Sequence, residues 1–396
     1  MKVLQFCKKT PIPPKDGESI AINQLSKAFV NNGCELHVYS LLTEKHPKTL
    51  KSSHYIENVK YTFTKINSKI SFFGVLKNLL FSKKPYIVKR FENNKVEKDL
   101  IELLKKENFD IVQLEGVFLG NYIKIIRAYS NAKIVFRAHN VENEIWKLLS
   151  ENEKFFKKVY LKQILIPRLE KFEKRISKEV DCIIPISKVD EAFFTKNASN
   201  TNIKTIPVAY EVLEYKNTLQ NQFNVGFIGG LDWLPNQEGV KWFLKNVWRK
   251  FVLKKNKANF NLAGRNFPKK YYNLKDTNLY IYGEIENARE FTLENSVMIA
   301  PILSGSGMRV KIIEALALGR TVLSTKIGAE GIDYENNKNI FVADTAEEWI
   351  EILLKLSNDK LLLIETGKAG QELIKRNHDI LKLGTELVDF YKNTFD

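Results

Sequence analysis

The stretch SVMIAPILSGSGMRVKIIEALALGRTVLST, residues 296–325, decides the reading of this chain. An apolar run ends at Pro301, and a loop of Gly305, Ser306 and Gly307 follows. A segment with helical spacing then runs to about Leu318 and stops at Gly319, before a second apolar run, TVLST. Strand, loop, helix and strand in that order make one crossover of a parallel sheet. Glycines just before a helix let backbone N–H groups approach an anion, and the helix N-terminus adds a partial positive charge. Met308, Arg309 and Lys311 follow the glycines, and the spacing predicts both cations in the first helical turn. Cations there oppose the helix dipole, so a sequence that places two of them implies an anion to meet them. Glu314 falls about 8 Å along the axis from Arg309 at 1.5 Å per residue. A carboxylate there can accept hydrogen bonds from ribose hydroxyls while the N-terminus holds a diphosphate. The pattern is neither GxGxxG nor GxxxxGK[ST], so neither a nicotinamide site nor a P-loop is indicated.

The alternation extends in both directions. NVGFIGG is a strand, and the helix expected from about Pro235 carries Val240, Phe243, Leu244, Val247 and Phe251 on one face. NFNLAG and LYIYG are further strands. The first half begins with the strand KVLQF, a loop with Pro11, Pro13, Pro14 and Gly17, and a helix with Ile20, Leu25, Ala28 and Phe29 that stops at Gly33. ELHVYSLL is the next strand. FDIVQLEG and KIVFRAHN end apolar runs in polar residues, the pattern of parallel strands whose C-terminal ends carry function. A long helical stretch is expected from about Glu142 to Lys178, broken near Pro167, before the strand DCIIPIS. Periodicity fades around residues 206–222, which reads as an interdomain linker. The fold class is α/β, with two doubly wound sheets facing a central cleft.

The 396 residues suit two domains. The formal net charge of +16 is uneven: residues 1–210 carry +15 and residues 211–396 carry +1. A basic half suits an anionic membrane face, a lipid diphosphate or nucleic acid, and equally a lysine-rich solvated surface. Cys7, Cys34 and Cys182 have no metal-ligand or disulfide spacing, so a reducing cytosol is the expected compartment. MKVLQF reads as a strand and not as a signal peptide, and no stretch approaches a spanning helix. No helix-turn-helix, zinc site or RNP-like strand supports nucleic-acid binding.

Three segments carry a family resemblance. The run APILSGSGMRVKIIEALALGRTVLSTKIGAEGI resembles the donor-binding signature of retaining glycosyltransferases of family 4. GFIGGLDWLPNQEGVKWFLKNVW resembles the start of their C-terminal domain, and FRAHNVENEIWK a loop of their N-terminal domain. The resemblance covers nearly the whole chain and implies the GT-B fold. An acceptor-side Rossmann-like domain would span residues 1–207, with a C-terminal helix, 378–396, crossing back to it. A donor-binding Rossmann-like domain would span 222–377, with 208–221 as the linker. The implied reaction moves a hexose-type sugar from a nucleotide diphosphate sugar to a glycan or lipid-linked acceptor with retention. In the family two glutamates often stand eight positions apart. The second maps to Glu314, but the first falls at Ser306, so its work passes to the hydroxyl, to backbone N–H groups, or to nothing. The usual basic pair after the first strand of the donor domain is missing from GGLDWLPN, so diphosphate neutralisation falls to Arg309 and Lys311. His139 is, by resemblance, the histidine that contacts the donor sugar, and Glu142 could cap the helix that follows it.

Other candidates sit at strand ends. Gly17 matches one of a glycine pair near the donor phosphate or acceptor, or makes a simple turn. Gly229 and Gly230 either admit the diphosphate or clear space for helix packing. Gly264, Arg265 and residues 282–285, with Gly283, are candidate contacts for the base. Trp233, Trp242 and Trp248 read as packing residues. Residues 71–90 mix large apolar side chains with Lys77, Lys83, Lys84, Lys89 and Arg90, which suits either an anionic membrane surface or an ordinary packing helix. No Asp-x-Asp motif or ligand cluster stands at a strand end, so no metal and no cofactor are expected. A cytoplasmic protein, peripheral on the inner membrane face, fits this reading. Another GT-B enzyme, an epimerase or phosphorylase, is the alternative within the fold.

Overall fold

The computed structural model describes residues 1–44, 54–151, 153–198, 201–212, 222–255, 257–305 and 307–395. The chain forms two compact units, Met1–Ala209 with Ile380–Asp396, and Tyr210–Asp379. Most of the expected linker, residues 213–221, and the candidate Ser306 lie outside the described residues.

The first unit is built on a parallel sheet of seven strands: β1 Lys2–Cys7, β2 Glu35–Leu42, β3 Val59–Lys65, β4 Ile111–Glu115, β5 Lys133–Ala138, β6 Cys182–Pro185 and β7 Asn202–Ile203. Their order is β3-β2-β1-β4-β5-β6-β7, so the chain reverses direction across the sheet between β1 and β4. Parallel strands covered on both faces read as near-continuous apolar runs. Exceptions here include Gln5, Gln113 and Glu115, polar side chains with no exposed surface. One face packs Phe6, Leu114 and Phe136 against Leu169, Phe172 and Ile176. The other packs Val3, Val38 and Val135 against Ile22, Leu25, Phe29, Leu387 and Tyr391.

The helix Gly17–Asn31 starts on a capping box. Asp16 accepts the Ser19 N–H at 2.9 Å, and the Ser19 hydroxyl receives the Asp16 N–H at 2.9 Å. The terminal helix Ile380–Phe395 packs in this unit against that helix, with Phe29 and Tyr391 stacked at 6.4 Å. The long helical stretch differs from expectation. It stops at Glu151, resumes at Phe155–Tyr160, widens into a π turn at Leu161–Leu165 and ends as the helix Ile166–Glu179. Pro167 does not break it. It sits in the first turn of the last helix, where its missing N–H is not needed.

The second unit repeats the plan with six parallel strands: β8 Asn224–Ile228, β9 Asn259–Ala263, β10 Leu279–Gly283, β11 Val297–Ala300, β12 Thr321–Ser324 and β13 Phe341–Val342. The order β10-β9-β8-β11-β12-β13 reverses between β8 and β11. Its core holds Phe227, Phe243, Trp248, Phe260 and Trp349. Trp242 meets Trp349 at 5.5 Å, and the Trp248 indole donates to the Thr277 carbonyl at 3.0 Å, so both are packing residues. Among the described residues no helix is long and apolar enough to cross a membrane.

Candidate functional site

In doubly wound sheets ligands bind beyond the carboxyl ends of the strands where the strand order reverses. In the second unit that point lies between β8 and β11, and residues 301–305 and 307–309 follow β11. Three glycines finish neighbouring strands. Gly264 has φ +142°, and a Cβ there would stand 2.0 Å from the Gly229 carbonyl oxygen. The Gly264 N–H donates to the Gly283 carbonyl at 2.7 Å, and the Gly229 N–H to the Ala263 carbonyl at 3.0 Å. A Cβ at Gly229 would meet the Lys311 Nζ at 2.8 Å, so this glycine makes room for the lysine. Gly230 offers its carbonyl to Asn236 at 2.8 Å, and the Arg265 carbonyl accepts the Leu231 N–H at 3.0 Å.

Gly305 and Gly307 have φ of +102° and +90°, backbone that favours glycine. The Gly307 N–H, aimed by that conformation, donates to the Glu330 carboxylate at 3.2 Å. Met308 is buried. Arg309 is not in the first helical turn, as its spacing suggested. It is the extended N-cap of the helix Val310–Ala317. Its guanidinium is buried, donates to the Gly307 carbonyl and lies 5.2 Å over the Trp233 ring. Burial pulls it down to about 10, against the attraction of Glu330.

Lys311 points back along β8. Its ammonium donates to the Asn236 Oδ1 at 2.9 Å and stands 4.3 Å from the Phe227 ring centroid. Burial first, and then the Arg309 charge, lower it to about 7. Glu314 accepts a hydrogen bond from the Tyr210 hydroxyl at 3.1 Å. Burial pushes its carboxyl up to about 7, with the Tyr210 bond and Arg289 opposing. The site thus gathers two desolvated cations, a glycine loop with left-handed amides, and a carboxyl that titrates near neutrality. Asn236, Tyr210 and Glu330 were not singled out from sequence. Glu330 could have been, since it follows β12 in a glycine-flanked turn, GAEG.

In the first unit the corresponding point is the end of β1 and β4. His139, just past β5, is buried and places Nε2 2.7 Å from the Glu115 Oε2. Glu18 meets Lys8 at 3.1 Å and Lys9 at 2.9 Å, and Lys9 also meets Asp16 at 2.8 Å. Burial alone would raise Glu18, but Lys8 and Lys9 outweigh it and hold the carboxyl at about 2. Glu142 joins the same group. Burial raises its carboxyl, while Lys8 lowers it and Glu18 adds to the rise. Glu142 does not cap the helix it begins. The cap is Glu173, which accepts the backbone N–H of Glu142 at 3.0 Å and of Asn143 at 3.3 Å. Gly17 is the first residue of its helix and makes no left-handed turn. Sequence reading missed Glu115, Lys8 and Lys9. Their signal was the position of each just at the end of an apolar strand.

Residues 222–359 match the family described as glycosyl transferases group 1. The chain is 25% identical over 296 residues to an uncharacterised 44.6 kDa protein of the cps region of Klebsiella pneumoniae, covering 72% of this chain and 74% of that protein. The sucrose-phosphate synthase of Thermosynechococcus elongatus superposes with a TM-score of 0.70 at 14% identity, over 100% of this chain and 99% of that one. Anabaena HepE in complex with UDP superposes with a TM-score of 0.66 at 12% identity, over 99% and 100%. The fold is GT-B.

Proposed function

We propose that this chain is a glycosyltransferase that moves a hexose-type sugar from a nucleoside diphosphate donor to a glycan or lipid-linked acceptor in cell-surface polysaccharide synthesis. The carrying observation is the set Gly305, Gly307, Arg309 and Lys311 at the point where the second sheet reverses, with Lys311 held at about 7 by desolvation. A diphosphate brought to that place offers Lys311 the anionic partner that Asn236 does not provide, and joins Glu330 in attracting Arg309. As the sugar bond breaks, the same cations and helix N-terminus stabilise the charge that grows on the leaving diphosphate. A metal is not required for this step. Glu314 accepts from the ribose in place of Tyr210, and His139 contacts the sugar. Retention follows the family resemblance, with the departing phosphate taking the acceptor proton. The UDP bound by HepE and the cps setting of the Klebsiella protein agree with this reading.

Contact with an anionic membrane belongs to the same proposal. The helix Phe72–Phe81 exposes Phe72, Phe73 and Phe81, 78%, 80% and 80% accessible, beside Lys77 and Lys83. Such a face fits a cytoplasmic enzyme resting on the inner leaflet. The test of the core reading is a thermal-shift screen of UDP, GDP, ADP and dTDP, followed by NMR of the product formed from the matching sugar donor. One nucleoside diphosphate should raise Tm by several degrees, and the product should keep the donor's anomeric configuration. Stabilisation by none of the four would end the proposal. Nucleotide release that ignores the acceptor would point to an epimerase.

A further inference from the structure

Glu115 ends β4 with no exposed surface, and nothing in its sequence position explains a carboxylate there. Its two oxygens receive three N–H groups. Oε1 is met by the Gln5 amide nitrogen at 2.7 Å and by the Gln113 amide nitrogen at 2.5 Å. Oε2 is met by the His139 Nε2 at 2.7 Å. The two glutamine amides are themselves oriented from behind. The Ser26 hydroxyl donates to the Gln5 carbonyl oxygen at 2.5 Å, and the Tyr391 hydroxyl to that of Gln113 at 2.7 Å. The counter-charge is Arg137, buried on the neighbouring strand and in register with Glu115. An ionised carboxylate only accepts. In the neutral imidazole the single hydrogen then sits on Nε2, which leaves Nδ1 with its lone pair.

We propose that Glu115 is a positioning residue that locks His139 in the tautomer protonated at Nε2, so that Nδ1 meets the bound sugar as an acceptor of a hydroxyl hydrogen bond. The role in transfer rests on the glycosyltransferase reading above; the tautomer itself does not. The lock extends through Gln113 and Tyr391 to the terminal helix, which thereby holds one end of the network although it carries no residue of the site.

The isosteric exchange Glu115→Gln tests this sharply. The new side chain still faces two amide N–H donors at Oε1, so its oxygen stays there and its NH2 turns to His139. Nε2 must then accept, and the hydrogen moves to Nδ1, converting the ligand-facing nitrogen from acceptor to donor. Nitrogen-15 NMR of the imidazole, assigned with His139→Asn, should show the Nε2–H tautomer in the unaltered protein and the Nδ1–H tautomer in E115Q. Tyr391→Phe should leave the tautomer unchanged. Turnover by E115Q should fall on the order of 100-fold in kcat with donor KM within about threefold, the signature of a mispointed group in the transition state. An Nδ1–H tautomer in the unaltered protein overturns the proposal, and this measurement decides even where E115Q fails to fold. An unchanged tautomer in folded E115Q overturns it as well. A switched tautomer with undiminished kcat would remove Nδ1 from the reaction. If no donor is turned over at all, the glycosyltransferase reading fails while the tautomer result still stands or falls alone.

Discussion

Replacing Lys311 by methionine should make the protein more stable and unable to bind its donor. The lysine keeps its stem over Phe227 and its ammonium on Asn236, yet it is held at about 7, against an ordinary value of 10.5. The difference, 10.5 less 7, is about 3.5 pH units, which at 1.36 kcal/mol per unit is an upper bound of about 5 kcal/mol. Methionine keeps the apolar contact but leaves the Asn236 carbonyl without its donor, a cost of about 1 kcal/mol. The expected net gain is roughly 2–4 kcal/mol, or about 5–15 °C in the Tm of a unit this size. The pH dependence has a definite sign. The folded value lies below the unfolded one, so between about pH 7 and 10.5 the unfolded chain binds more protons and the unaltered protein gains stability as pH rises. Below about pH 7 the penalty is complete, so the advantage of Lys311→Met is greatest there and fades toward pH 10.5. Calorimetry at pH 6, 8 and 10, with and without the stabilising nucleotide at about 100 times its Kd, reads both effects. That nucleotide should add about 2.7 kcal/mol to the unaltered protein and nothing to the variant. A variant less stable at every pH, or one still stabilised by nucleotide, would refute the reasoning.

Three further outcomes are expected. Arg309→Ala should raise donor KM or lower kcat by about 10-fold or more, since it removes a buried guanidinium beside the glycine loop; unchanged steady-state kinetics would exclude it from the site. Tyr210→Phe removes the bond that favours ionised Glu314, so the carboxyl should move above about 7. Nucleotide affinity measured by titration calorimetry would then be lost at a higher pH as pH falls, and a profile that does not move would uncouple Tyr210 from the ribose. In flotation with anionic vesicles at low salt the unaltered chain should rise with the lipid, and Phe72→Ser with Phe73→Ser and Phe81→Ser should stay behind; equal flotation of both would move the contact elsewhere.

The fold was legible because a parallel sheet writes its strands as apolar runs. KVLQFC, IVQLE, KIVFRA, NVGFI and VMIA all lie where such runs predicted strands. β3 was not seen because VKYTFTK alternates polar and apolar side chains at the sheet edge, where only one face needs covering. β7 and β13, two residues each, carry no periodicity to read. The interruption falls after Glu151 and not at Pro167, because the run restarts at Phe155 and the proline follows directly on the π turn Leu161–Leu165, at the start of the last α-helical segment.

The site was legible only where its parts are close in sequence. Gly305, Gly307, Arg309, Lys311 and Glu314 announce themselves within ten residues. Their partners do not, because strand order and not separation brings them together. Asn236 reaches Lys311 from 75 positions away, Tyr210 reaches Glu314 from 104, and Glu330 reaches Gly307 from 23. Those partners change what the motif means. As read from sequence, Arg309 and Lys311 are two cations in the first helical turn with an anion to meet. In the structure each is desolvated and bonded to a neutral oxygen, one on Gly307 and one on Asn236. A neutral partner satisfies an N–H but does not balance a charge, so ionised Lys311 stays costly until an anion arrives, while Arg309 is already drawn toward Glu330. The hydrogen bond to Glu314 likewise comes from a neutral phenol, though Arg289 also favours its ionised form. Lys311 is therefore the charge that the fold holds at a cost, and a diphosphate with its ribose relieves it and replaces the phenol in one binding event.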